Sequence, residues 1–305
     1  MTTEMRIAAA RDLNACQNMP LVPRRHLGRA LAGAAILVLL AWLAVGAFRN
    51  PAFGWRTVIH YLFNAEILRG LGLTLWLTAL VALLGFALGI PLALMRLSGN
   101  PVLRATSAAY VWLFRSAPLL VQLLFWYNIG YLVPVITIKI PFGPTLLALA
   151  SRDLISAEMA AIIGLTCHEA AYAAEIVRGG LISVNRGLIE AAQGLGLSSG
   201  KIFRHVILPQ ALPGILPAAG NLIVGTLKGT SIVSIIAVSD LLYSAQLIYN
   251  QNYQIVPLLM VATLWYVAAT SCLGLLQRFL ERRYASGTEK QAGEPKRRVS
   301  LGADL

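Results

Sequence analysis

Six apolar runs, too long and too continuous for a soluble core, set the terms for this chain. They lie at roughly residues 29–48, 68–97, 105–135, 157–182, 209–238 and 256–279. About 20 apolar residues in a helix cross the hydrocarbon of a bilayer. Lipid offers no partner for a backbone N–H or C=O, so such runs are stable there only as helices. The chain therefore reads as an all-α membrane protein of about six transmembrane helices. Several runs exceed one bilayer thickness, which calls for tilt, breaks or extension past the lipid. With 57% of the 305 residues hydrophobic and 12% charged, little chain remains for a separate soluble domain.

Lys and Arg supply the orientation, because cytoplasmic loops carry an excess of them. With the N-terminus inside, eighteen of the 25 basic residues fall in cytoplasmic segments. Five fall outside (Arg49, Arg56, Arg69, Lys139 and Arg152), and Arg115 and Lys228 lie within runs. Both termini and the loop at 183–208 are thus expected in the cytoplasm. The same clustering in gaps and tails accounts for the net charge of +12 without a phosphate-binding surface, so no nucleic-acid partner is expected.

Residues 1–28 read as a cytoplasmic N-terminal tail, 29–66 as a first span with an outer segment, and 67–283 as the main transmembrane domain. Residues 284–305, polar and rich in Gly, Lys and Glu, read as an unstructured cytoplasmic tail. The outer stretch at 134–152, with Pro141 and Pro144, reads as a loop. Arg24 and Arg25 ahead of an apolar stretch ending in Ala44 to Ala47 also fit a signal peptide. The length of that stretch suits a retained span better.

Catalytic motifs are absent from the sequence. A nucleotide loop needs GxxxxGK followed by Ser or Thr, whereas Gly196 to Ile202 is one residue short and ends in Ile. His168-Glu169 lacks the second His of a zinc peptidase, and there is no GxSxG. Cys16, Cys167 and Cys272 form neither a CxxC nor a zinc spacing. No catalytic residue, metal site or cofactor is expected, and an enzyme reading has nothing to rest on.

The informative cytoplasmic segment is Asn185 to Gly196, which contains Glu190-Ala191-Ala192 and is followed by Val206 and Leu208-Pro209. Small side chains at Ala191, Ala192 and Gly194 leave a slim helix that another protein can approach. Glu190 is expected near the helix start, where the dipole favours an anion, and Gly196 can adopt the left-handed conformation that ends a helix. An ordinary cytoplasmic turn would have the same composition. The spacing is more specific: EAA, three residues, Gly, nine residues, Ile, one residue, Leu-Pro is the signature of the EAA loop of ABC-importer permeases. This segment resembles it, with Val206 in the Ile place.

The resemblance extends from about Gly70 to Glu281 and narrows to permeases for polar amino acids and opines. It is carried by Leu73-Thr74-Leu75, by Tyr110 to Pro118, and by Ala171-Tyr172 with Glu175 and Arg178-Gly179-Gly180. Pro209-Gln210-Ala211 and Lys228-Gly229-Thr230-Ser231 complete it. Ser116-Ala117 replace the usual Gly-Thr, Gly229 stands where an acidic or amide residue is common, Asp240 replaces Glu, and His168 is unusual at its position. The first run lies outside the common core.

The resemblance implies a type I ABC-importer permease fold with one extra N-terminal span, in a bacterial inner membrane. It implies a second permease subunit, the same or homologous, an ATP-binding cassette ATPase dimer, and a periplasmic substrate-binding protein. The cargo would be a polar amino acid, with an opine or a sulfur-containing amino acid as the alternative. Glu190, Ala191, Ala192 and Gly196 would form the ATPase-docking helix. A secondary transporter, working without any ATPase, is the rival mechanism.

Arg115 and Lys228 within apolar runs are costly in lipid and should face protein, water or the membrane edge. With Thr230 and Ser231 they are candidates for the substrate path or gate. The competing reading is a structural ion pair or a snorkelling side chain, with Glu169 and Glu175 as the obvious partners. Prolines 209, 213 and 217 would disturb a helix where the docking loop joins the fifth span. Gly85 and Gly89 form a GxxxG pair, expected to mark a close helix contact.

Overall fold

Helix caps that are legible in the sequence open five of the helices. The side chains of Asn64, Asn100, Ser156, Asn185 and Asp240 accept from the N–H groups of Glu66, Val102, Met159, Gly187 and Tyr243 at 2.8–3.2 Å. Each satisfies one of the donors that a helix start leaves unpaired.

A computed structural model describes residues 27–139, 145–150 and 155–292. The chain divides into a unit ending at Phe53 and a second beginning at Gly54. The first unit holds α1 (Leu27–Arg49) and a 3₁₀ turn. The second starts with α2 (Trp55–Leu62), α3 (Ala65–Leu97), α4 (Pro101–Ser116), α5 (Leu119–Tyr127) and α6 (Ile129–Leu132). After a β-hairpin come α7 (Ala157–Ile182), α8 (Arg186–Gly194), α9 (Ser199–Ile202), α10 (Leu208–Gly229), α11 (Leu241–Asn252) and α12 (Ile255–Ala292).

Five helical stretches are long and apolar enough to cross a membrane: Leu31–Arg49, Ala65–Leu97, Ala157–Ile182, Ser199–Ile236 and Ile255–Arg283. They match five of the six apolar runs. The remaining run, read as one span over 105–135, is instead two helices, α4 and α5, meeting at 101°. Pro118 is the reason. It disfavours helical backbone at the residue before it, and Ala117 is extended, at φ −81° and ψ 134°. The bend frees carbonyls, and Gln122 takes them up: its Nε2 donates to Phe114 O at 2.9 Å and to Ala117 O at 2.8 Å.

Three further differences have local causes. Within the stretch expected as a loop, β1 (Val135–Lys139) pairs antiparallel with β2 (Thr145–Ala150), Val135 opposite Ala150. The β-branched run Val135-Ile136-Thr137-Ile138 suits an extended backbone. The triple-proline segment stays helical, with Pro213 and Pro217 inside α10, and the irregularity falls just ahead of it as a π-helical turn at Phe203–Ile207. At the C-terminal end α12 continues to Ala292, into the segment expected to lack structure. The N-terminal tail up to residue 26 and residues 293–305 lie outside the described residues.

The second unit is organised around α7, whose inner positions are small: Ala160, Ala161, Ala170, Ala171, Ala173 and Ala174 are all buried. Small residues let helix backbones approach closely. The GxxxG pair of α3 uses this. A Cβ added at Gly85 would lie 2.6 Å from Glu169 Cγ, and one at Gly89 would lie 2.7 Å from Ala173 Cβ. One cluster joins Leu77, Val81, Leu123, Leu165, Val233 and Ile236, and another joins Ile67, Leu241, Ala245, Leu258 and Val261. Between them Thr74 Oγ1 accepts from Leu241 N at 3.0 Å, and Asp240 accepts from the Tyr266 hydroxyl at 3.1 Å.

Candidate functional site

Two sites emerge, one on the loop side and one within the helices. The loop-side site is α8. Its C-terminal end is a complete Schellman motif, with Leu197 N bonded to Ala192 O at 3.2 Å and Gly196 N to Gln193 O at 2.9 Å. Gly196 sits at φ +74°, the left-handed region that a side chain resists. The glycine of the motif is therefore a helix stop.

On α8, Ile189 packs against the cluster formed by Val184 with Ala211 and Ile215 of α10, and Ala192 is buried. Ala192, expected on the slim outer surface, is buried instead. The exposed side carries Leu188, Ala191 and Leu195, spaced i, i+3 and i+7, with Leu195 81% exposed. Such spacing puts them on one face. Leu188 and Leu195 had no motif to mark them; the signal was helical periodicity next to a glycine stop. Glu190 is exposed but lies mid-helix, beyond the first turn where the dipole would favour it.

The intramembrane charges are partly paired. Glu175 on α7 accepts from Arg178 at 2.7 Å and 3.3 Å, and Arg115 approaches the same carboxylate at 4.0 Å. The Arg115 guanidinium also lies 5.1 Å from the Tyr172 ring centroid. Arg96, Arg115, Trp112, Tyr172 and Glu175 line a cleft of about 350 Å³. Glu175 is thus the partner expected for Arg115, but Arg178 holds it more closely. Lys228 is exposed and has no ion pair among the described residues.

Thr230 and Ser231 are both bonded to the backbone of the preceding turn. Thr230 is fully buried, its hydroxyl donating to Leu227 O at 2.7 Å, and Ser231 donates to Lys228 O at 2.7 Å. Both hydroxyls serve the change from α10 to the 3₁₀ segment Thr230–Ile236. Arg115, Lys228, Thr230 and Ser231 do not come together as one site.

A second cleft, of about 180 Å³, is lined by Leu119, Leu165, His168, Glu169, Tyr172, Leu222, Gly225, Thr226 and Gly229. It combines the residue after the Pro118 break, the middle of α7 and one face of α10. His168 and Gly229, unusual in the sequence, both line it. The His168 ring meets Gln122 Nε2 at 3.3 Å, tying the wall of the cleft to the break.

A protein-family model described as "Binding-protein-dependent transport system inner membrane component" matches residues 85–286. The chain belongs to this family. The permease is 41% identical over 269 residues to the arginine transport system permease protein ArgU of Corynebacterium glutamicum, covering 88% of this chain and 84% of that protein. It is 35% identical over 215 residues to the histidine/lysine/arginine/ornithine transport system permease protein HisM of Salmonella typhimurium, covering 70% and 88%. Among solved structures, an amino acid ABC transporter with histidines superposes with TM-score 0.61 at 33% identity, over 72% of this chain and 95% of that one. The permease has the type I ABC-importer fold. The family match begins inside α3 and leaves α1 outside, as the extra first span requires.

Proposed function

We propose that this permease is the membrane subunit of an ATP-driven importer for a polar amino acid, coupled to its ATPase through α8. The observation that carries the coupling role is the exposed face of Leu188, Ala191 and Leu195 on a helix stopped by Gly196 at φ +74°. The helix is anchored on its other side by Ile189, packed against Val184, Ala211 and Ile215, and Ala192 is buried. A push on the exposed face therefore passes into Val184 and the start of α10 rather than into a loose loop.

The cycle follows from this anchoring. Two permease chains, the same or homologous, would pair around a central path, each seating α8 in a groove of an ATPase subunit. A periplasmic binding protein would deliver the amino acid on the outer face. Closure of the ATPases on ATP would draw the two docking helices together. Packed interfaces transmit such motion as rigid-body shifts. Both termini would lie in the cytoplasm of a bacterial inner membrane, and ATP hydrolysis would belong to the separate ATPase. The amino-acid class is supported by the arginine and histidine/lysine/arginine/ornithine systems named for the relatives.

The test is reconstitution with the cognate ATPase and binding protein. Glu190→Lys combined with Gly196→Val is expected to leave the permease inserted while uptake and stimulated ATP hydrolysis fall together. Survival of both would remove α8 from the coupling role, and uptake by the permease alone would replace the mechanism with a secondary transporter.

A further inference from the structure

Two arginines of the 350 Å³ cleft keep donors that nothing takes up. Arg178 spends its Nε and one terminal nitrogen on Glu175, at 3.3 Å and 2.7 Å. Arg115 reaches the same carboxylate only at 4.0 Å, beyond hydrogen-bond range. Arg96 makes no ion pair among the described residues, and neither Arg96 nor Arg115 donates a hydrogen bond among them. A guanidinium offers donors only and stays charged, so the cleft is short of an acceptor. Counting Arg96, Arg115, Arg178 and Glu175, its net charge is +2.

The walls say where this charge sits. Ala108, Val111, Trp112 and Arg115 line the cleft from one face of α4, at the spacing i, i+3, i+4 and i+7. The Arg115 guanidinium lies over the Tyr172 ring, 5.1 Å from its centroid, which orients it. Arg96 is the last residue but one of α3, and Glu175 lies seven residues, about 10 Å, before the end of α7. With 26 residues α7 is about 39 Å long, against about 30 Å of hydrocarbon. The cleft therefore opens where hydrocarbon meets headgroups, on the α8 side of the membrane. Trp112, 70% exposed, stands at that level, the one that tryptophan favours in membrane proteins.

We infer that Arg96 and Arg115 bind the phosphate of an anionic phospholipid headgroup in the leaflet on the α8 side. Phosphate oxygens match the fork of a guanidinium two at a time. Small-ligand sites run to roughly 300–1,000 Å³, so 350 Å³ takes a phosphate with its glycerol while the acyl chains pass out beside Trp112. Glu175 is already held by Arg178 and has little to offer the ammonium of a zwitterionic lipid. Basic pockets between membrane helices recognise anionic headgroups in this way. The site joins α3, α4 and α7, and it depends neither on the cargo nor on which side of the membrane is cytoplasmic.

The experiment follows the melting temperature of the permease–ATPase complex in a neutral detergent during titration with phosphatidylglycerol, phosphatidylcholine or inorganic phosphate. Phosphatidylglycerol is expected to raise the melting temperature at a mole fraction at least about 10-fold below that needed of phosphatidylcholine. Arg96→Gln should weaken the phosphatidylglycerol effect at least about 10-fold, and Arg96→Lys, which keeps the charge but loses the fork, should retain part of it. Arg104→Gln, exposed at the start of α4 and outside the cleft, should leave the effect unchanged. The inference is overturned if phosphatidylcholine acts as well as phosphatidylglycerol, or if Arg96→Gln and Arg104→Gln weaken the effect equally, which would leave only diffuse surface charge. Inorganic phosphate that reproduces the shift by itself would assign the cleft to a free anion and overturn the lipid as its source. If Arg96→Gln does not fold, the contrast of the two lipids and phosphate in the parent still decides.

Discussion

The close contact of α3 with α7 gives the sharpest stability prediction, at Gly89. A Cβ there would sit 2.7 Å from Ala173 Cβ, and 3.0 Å from both Ala170 O and Ala174 N. Carbon atoms prefer about 3.5–4.0 Å, so the first contact is short by about 1 Å. Two of the three obstructing atoms are backbone and cannot rotate away. The helices must separate, and overpacking of this kind costs about 1–3 kcal/mol. The gain from replacing a helix glycine by alanine, roughly 0.5–1 kcal/mol, offsets part of that. Gly89→Ala should therefore be destabilised by about 1–2 kcal/mol, or about 2–8 °C in melting temperature for a domain of this size. Gly72 on the same helix, with nothing within 4 Å of an added Cβ, is the control. Gly72→Ala should melt at or above the parent temperature. Adding Ala173→Gly to the Gly89→Ala protein removes the 2.7 Å contact and should recover roughly half the loss, because the backbone contacts remain. Thermal unfolding in detergent measures all four proteins. Equal melting of Gly89→Ala and Gly72→Ala, or no recovery on adding Ala173→Gly, would refute the close-packing argument.

Other consequences concern the loop, the bend and the outer connection. At Gly196, Val should cost about 1–2 kcal/mol for the left-handed backbone and Asn less. Hydrogen exchange over residues 186–197 should rise in the order Gly, Asn, Val. Gln122→Leu leaves Phe114 O and Ala117 O without their donor and should cost about 1–3 kcal/mol per orphaned group, seen as a lower melting temperature and lower uptake. Asp240, in the connection after the fifth span, caps α11 and accepts from Tyr266, so Asp240→Ala should cost about 1–3 kcal/mol. Burial pushes this carboxyl up to about 6. The folded protein then holds the proton more tightly than the unfolded chain, so stability falls as pH rises from about 4 to 6 and levels above that. Asp240→Asn should flatten this slope in melting temperature against pH. An unchanged slope would assign the dependence to another group.

Much of the architecture was legible because lipid leaves a long apolar run one option. Five of the six runs became helices near their expected bounds, and the extra first span fell outside the family match as its lack of shared motifs required. The end of α8 was legible too, because Gly196 took the backbone that only glycine holds cheaply. Caps and the GxxxG pair were equally local, each needing only neighbours within a turn or one small-residue face.

What the sequence could not give was direction. Ala191 and Ala192 are the same residue type side by side, yet one is exposed and the other buried, because the packing of α8 on α10 sets which side turns inward. Lys228, Thr230 and Ser231 share one turn at the end of α10, and Arg115 lies on α4 beside Glu175. Only the fold shows the threonine and serine bonded to their own helix while Glu175 gathers the arginines. Glu169 and Glu175 are alike in one dimension, six residues apart on one helix. The structure separates them: Glu175 is held by Arg178 three residues along its own helix and approached by Arg115 from α4, while among the described residues no cation reaches Glu169.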